Sequence, residues 1–211
     1  ALGVAINLEP KRVEECINKV GFGFMYAPKF HGAMKYAIGP RKELGVRTVF
    51  NVLGPLTNPA EANYELMGVF DKNLTEPLAE VLGILGCKHA LVVHGNGLDE
   101  ITIEGETKVS EYKDKHVRTY TIKPTDFGIK IADLKEIKGN DPEDNAKIAY
   151  DILKGKEMGA KRDVVLLNAA GALFAADEAD NLREGFEMAS SAIDSGKAVR
   201  VLEKLKDFKK K

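Results

Sequence analysis

The chain has 211 residues, 44% of them hydrophobic and 30% charged, with 31 Lys plus Arg set against 32 Asp plus Glu. That length and apolar content suffice for a real hydrophobic core, and the near-cancelled charge excludes a surface dedicated to nucleic acid or to an anionic membrane. No apolar run reaches the roughly 20 residues that a bilayer-crossing helix needs, and Cys16 and Cys87 form neither a CxxC site nor a disulfide framework, which points to a reducing cytoplasm.

Pro10 opens a helix with Val13, Cys16, Ile17 and Val20 at helical spacing, stopped by Gly21. The stretch GFGFMYAP reads as a loop and Phe30 to Ile38 as a short helix, which Gly39–Pro40 breaks; Pro40 can begin another. Val49 to Leu53 reads as a buried helical or turn segment ended by Gly54–Pro55. YELMGVF predicts a strand, Thr75 to Gly86 an amphipathic helix, and HALVVHG a buried strand, an order that implies a right-handed crossover and a parallel pair. EITIEGETKVSEY and HVRTYTI alternate as exposed strands do.

Further on, Asp141 has the place of a helix cap, with Pro142 at the first helical position and acids in the first turn, so those acids have a structural explanation. RDVVLLNAAGALFAA is apolar nearly all round and reads as a buried helix; a final amphipathic helix starts near Asn181, and the basic KLKDFKKK reads as a solvated helix end. The expected class is α/β, a mixed, partly parallel sheet with packed helices. Residues 1–60 are expected to form a helical linker segment and residues 61–211 the α/β domain, the two making one compact unit.

Two stretches carry candidate chemistry. In ALVVHGNGLDEIT a buried strand ends at His94, Gly95 and Gly97 permit tight turning, and the adjacent carboxylates Asp99 and Glu100 follow. Strand ends of α/β sheets are where ligands settle. Paired acids suit Mg²⁺, which takes hard oxygen ligands and shares them with water and phosphates; a solvated turn explains them equally. His94 fits either an acid–base group or a hydrogen-bonded structural histidine. The glycines match neither a dinucleotide nor a P-loop pattern. In GPRKELGVRTVFNVLGPLTNP, Arg41 and Arg47 each present a planar fork suited to a carboxylate or phosphate. A surface ion pair with Glu43 is the alternative.

Taken together and in this order, FGFMYAPKFHGAMKYAIGPRKELGVRTVFNVLGPLTNPA, VVHGNGLDEI and NAAGALFAA closely resemble the anthranilate phosphoribosyltransferases, across nearly the whole chain. The resemblance implies a nucleoside phosphorylase/phosphoribosyltransferase-like C-terminal domain. It implies that Arg41 holds the carboxylate of anthranilate, that Gly54 and Pro55 form a backbone wall beside the ring, and that His31 lines the entrance. In this chain His31–Gly32 stands where the family has His-Pro. Asp99 and Glu100 correspond to the acids that hold Mg²⁺ on the pyrophosphate of phosphoribosyl pyrophosphate (PRPP), and no side chain is assigned as general acid or base.

The family's N-terminal helical segment and its glycine-rich PRPP loop do not appear among the 211 residues. The resemblance therefore implies the C-terminal part of such an enzyme, with little activity alone, a homodimer when complete and a complementary N-terminal segment as a partner. A pyrimidine nucleoside phosphorylase-like enzyme and a non-catalytic folded remnant are the competing readings.

Overall fold

A computed structural model of the chain describes residues 1–30 and 50–208. An extended N-terminal stretch leads into α1 (Pro10–Val20), followed by α2 (Ala27–Phe30) and α3 (Phe50–Leu56). Then come β1 (Tyr64–Gly68), α4 (Thr75–Ile84), β2 (His89–Gly95), β3 (Thr107–Lys113) and β4 (His116–Ile122). Four helices complete the chain: α5 (Pro142–Leu153), α6 (Ala160–Ala175), α7 (Leu182–Asp194) and α8 (Lys197–Asp207).

The four strands form one sheet in the order β1-β2-β3-β4. β1 and β2 are parallel and joined across α4, whereas β2–β3 and β3–β4 are antiparallel. Asp114 and Lys115 make the β3–β4 turn with φ of 51° and 66°, the left-handed pair that a two-residue hairpin turn requires.

Side-chain alternation along β2 explains why it reads as a continuous apolar run. Leu91 and Val93 face a core that holds Ile101, Ile103, Val109, Leu167 and Phe174. Ala90 and Val92 face the other way, onto Met67, Val69, Leu78, Ala79 and Leu82. The sheet is thus covered by α6 on one face and α4 on the other, the arrangement in which a central strand is apolar throughout. Ile152, Leu166, Ala189 and Ile193 bind α5, α6 and α7 into a further layer. At the other end of the chain Val13 and Cys16 of α1 are buried, and the Arg12 guanidinium lies 4.5 Å from the centroid of Phe208, just after α8.

Several elements differ from expectation. Residues 100–106 do not join β3; Thr102 N–H donates to Thr107 Oγ1 at 3.1 Å instead of to a neighbouring strand. β3 is largely buried, not exposed, because it lies between β2 and β4 with α4 packed over it. The final helix is two, divided at Gly196, whose φ is +70°. α3 runs through Gly54 and Pro55 to Leu56, with Thr57 Oγ1 donating to Leu53 O at 2.7 Å and capping a carbonyl of that last turn. Both cysteines are free and buried. Among the described residues no helix is long and apolar enough to cross a membrane.

Candidate functional site

The acidic pair is built by a reversal of the chain at the end of β2. Asn96 and Gly97 have φ of +47° and +93°, the two left-handed residues of a tight hairpin turn. Gly95 and Leu98 exchange both backbone hydrogen bonds across it, at 3.0 and 2.9 Å. The returning segment, Leu98 to Glu100, crosses the C-terminal ends of β1 and β2 at very short range. A Cβ on Gly68 would stand 1.6 Å from the carbonyl oxygen of Asp99, and one on Gly95 would stand 2.4 Å from that of Glu100. Glycine is required at both strand ends because backbone occupies the space a side chain would take.

His94 braces the same turn. Its Nδ1 lies 2.8 Å from Val69 O, and Gly97 N–H donates to Nε2 at 3.2 Å. Both bonds form when the ring carries its proton on Nδ1, so His94 ties the β1 exit to the turn and has the structural role among the two readings. On the far side, Asn168 of α6 accepts from Ile101 N–H at 2.9 Å and donates to Ile101 O at 2.9 Å. Asn168 and Gly68 escaped the sequence reading. The signals were there: Asn168 is the one amide side chain in an apolar helical run, and Gly68 interrupts the apolar stretch of YELMGVF.

Asp99 is exposed and Glu100 half-buried. Burial, and then the neighbouring Asp99 charge, push the Glu100 carboxyl above its ordinary pKa. Among the described residues neither carboxylate has a cationic or hydrogen-bonding partner, and no group of three or more His, Cys, Asp or Glu could enclose a metal. Two adjacent, mutually repelling oxygen donors at the mouth of a turn fit a hard divalent cation that completes its shell with water and ligand oxygens, as Mg²⁺ does. They do not fit a closed, all-protein cage.

The other expected residues fall elsewhere. Arg41, Arg47 and His31 lie outside the described residues. Gly54 is exposed, and among the described residues nothing lies within 4 Å of a Cβ built on it. Pro55 lines a pocket of about 380 Å³ with Glu65, Leu82, Leu85 and Cys87. That pocket sits at the N-terminal end of β1, whereas Asp99 crosses its C-terminal end at Gly68. The span from Glu65 to Gly68 is about 10 Å at the usual strand rise. Pro55 therefore lies in a pocket at the opposite end of β1 from the turn that carries Asp99 and Glu100.

Comparison with known proteins agrees with this architecture. The anthranilate phosphoribosyltransferase of Symbiobacterium thermophilum is 55% identical over 209 residues, which are 99% of this chain and 61% of that protein. The crystal structure of the anthranilate phosphoribosyltransferase of Thermus thermophilus superposes with a TM-score of 0.91 at 43% identity, covering 98% of this chain and 61% of that one. The Saccharomyces cerevisiae enzyme, solved in complex with PRPP and Mg, gives a TM-score of 0.88 at 31% identity, covering 98% of this chain and 60% of that one. The chain thus spans about three-fifths of the length of these relatives. The family model for the glycosyl transferase family, a/b domain, matches residues 1–199, and the chain belongs to that family.

Proposed function

We propose that the protein to which this chain belongs transfers the phosphoribosyl group of PRPP to anthranilate, releasing pyrophosphate, as a step of tryptophan biosynthesis. The observation that carries the reading is the acidic pair, held at the C-terminal ends of two parallel strands without a side-chain partner among the described residues, in a chain 55% identical to a relative of that name.

In this reading Asp99 and Glu100 present hard oxygen donors beside the leaving group. Mg²⁺, when bound, supplies charge neutralisation for the pyrophosphate as the C1–oxygen bond breaks. Arg41 grips the anthranilate carboxylate through its two-pronged fork. Gly54–Pro55 offers main chain to the flat ring, and His31 lines the approach. The amine lone pair forms the new bond to C1 while the C1–oxygen bond electrons leave with pyrophosphate, and the amine then gives up a proton. An aromatic amine needs little activation, so holding it in line with C1 supplies much of the rate. The homodimer, the complementary N-terminal segment and the cytoplasmic setting belong to this same reading.

The test is steady-state conversion of anthranilate and PRPP, with thymidine plus phosphate as the competing substrate pair. The chain is assayed alone and after addition of a polypeptide supplying the relatives' remaining two-fifths. Turnover of anthranilate on mixing, absent with thymidine, is the expected result. Turnover of thymidine, or of neither pair, overturns the assignment.

A further inference from the structure

The acids of the turn are side chains on a surface segment, and something must fix the backbone that aims them. Glycine contacts at Gly68 and Gly95 allow the segment to come close, but they do not pull it in. The pull comes from α6. Asn168 Oδ1 accepts from the backbone N–H of Ile101, and Asn168 Nδ2 donates to the carbonyl of the same residue, each at 2.9 Å. One side chain thereby satisfies both main-chain groups of the residue that follows Glu100.

The amide is itself fixed. Nδ2 also donates to Val164 O, one turn back on α6, at 2.9 Å. With one donor and two acceptors around it, the carboxamide fits in a single orientation, since a flipped amide would face N–H with N–H and oxygen with oxygen. The helix carrying it is anchored in turn: Gly171, one turn further, lies against Ile101 and Leu66 so closely that a Cβ there would be 2.8 Å from Ile101 Cδ1. Ile101 is 2% exposed, so its side chain locks into the core while its backbone is gripped from α6.

We propose that Asn168 is the positioning residue of the acidic pair, holding the backbone next to Glu100 so that Asp99 and Glu100 present their oxygens to one divalent cation. Asn168 touches neither cation nor substrate; it acts through Ile101. The proposal rests on the metal-holding role given to Asp99 and Glu100 above. Groups that orient ligands from behind are commonly worth about 10–100-fold in metal affinity, which sets the size of the expected effect.

Mn²⁺ binding to the 211-residue chain, read by water-proton relaxation, tests it without any turnover. Four proteins are compared: the unaltered chain, Asp99→Asn/Glu100→Gln, Asn168→Leu, and Leu167→Ala. The last variant weakens the adjacent core without touching Ile101's backbone. The expected result is Mn²⁺ binding lost in the double variant, weakened about tenfold in Asn168→Leu, and unchanged in folded Leu167→Ala. If Asn168→Leu does not fold, Asn168→Ser, too short to reach both backbone groups, is read in its place. Binding that ignores replacement of the acids would defeat the metal role and the positioning role together. Binding that needs the acids but is indifferent to Asn168, or equally weakened by Leu167→Ala, would defeat the positioning role alone.

Discussion

The α-carbon of Gly68, the last residue of β1, lies against the carbonyl of Asp99, so close that a methyl group there would stand 1.6 Å from the oxygen. The obstacle is main chain and cannot rotate away. At Gly171, by contrast, an added Cβ would stand 2.8 Å from Ile101 Cδ1 and 3.2 Å from Leu66 Cδ2, side-chain ends that can yield. Gly68→Ala should therefore destabilise the chain by about 1–3 kcal/mol, the usual cost of overpacking, and displace the acidic turn. Gly171→Ala should cost less. Urea unfolding of both variants gives the comparison; equal or reversed costs would show that the turn is free to lift off β1.

A second set of charges lies at the opposite end of the sheet. His89, fully buried, places Nδ1 2.7 Å from Asp177 and Nε2 3.5 Å from Glu111, and Arg118 donates to Glu111 at 2.8 Å. Burial alone would raise the Glu111 carboxyl, but the His89 ring, the Arg118 guanidinium and the Tyr120 hydroxyl outweigh it and bring its pKa from 4.5 down to about 2. A carboxyl depressed on folding contributes stability that is present above its unfolded pKa and lost as pH falls through the folded one. Glu111→Gln should thus lower stability by about 3 kcal/mol above pH 5, with the two proteins converging towards pH 2. Denaturant midpoints across that range provide the check, and parallel curves would rule out the Glu111 contribution.

How much of this was legible follows from what each residue does alone. β2 was readable residue for residue because both its faces are buried and its β-branched run has sharp ends. The Asp141 cap was readable because capping is local: its carboxylate accepts from Asp144 N–H at 2.8 Å. The burial of β3 was not readable, since it depends on β4 and α4 lying to either side. The acidic pair could be named from its turn, but the contact of Gly68 with Asp99 joins residues 31 apart in sequence and the grip of Asn168 on Ile101 joins residues 67 apart. No local pattern encodes such distant pairings; a glycine at a strand end and an amide in an apolar helix are the traces they leave.

The capping geometry yields its own prediction. Asp141→Ala should destabilise α5 by about 1 kcal/mol, because Asp144 N–H loses its acceptor, and should leave divalent-cation binding untouched. A change in Mn²⁺ affinity would mean that these acids are more than a cap.

Arg41 is assigned by resemblance to the anthranilate carboxylate. In a protein complete enough to bind both substrates, Arg41→Ala should weaken anthranilate binding by about 1.5–3 kcal/mol, roughly ten- to hundredfold, since a charge-assisted hydrogen bond is lost. PRPP binding should hardly change. Calorimetric titration with each ligand separates the two, and unaltered anthranilate affinity would make Arg41 a surface ion-pair residue.

The strain between Asp99 and Glu100 gives the sharpest test of what their turn is for. Burial and the Asp99 charge raise the Glu100 carboxyl on folding. An acid whose pKa rises on folding binds protons more tightly in the folded state, so stability falls as pH climbs from its unfolded pKa through its folded one. At neutral pH the ionised pair is therefore a local cost, tolerated where a cation would offset it. Glu100→Gln removes that cost and should raise the melting temperature at pH 7. As pH falls below the ordinary glutamate pKa and the carboxyl becomes protonated in both states, the gain should disappear. Saturating Mg²⁺ should also shrink it, because the ion stabilises only the protein that binds it. Scanning calorimetry of the two proteins across that pH range, with and without Mg²⁺, measures all three effects. A Glu100→Gln variant less stable than the unaltered chain without metal would show that Glu100 is a structural partner in its turn and not a ligand waiting for a cation.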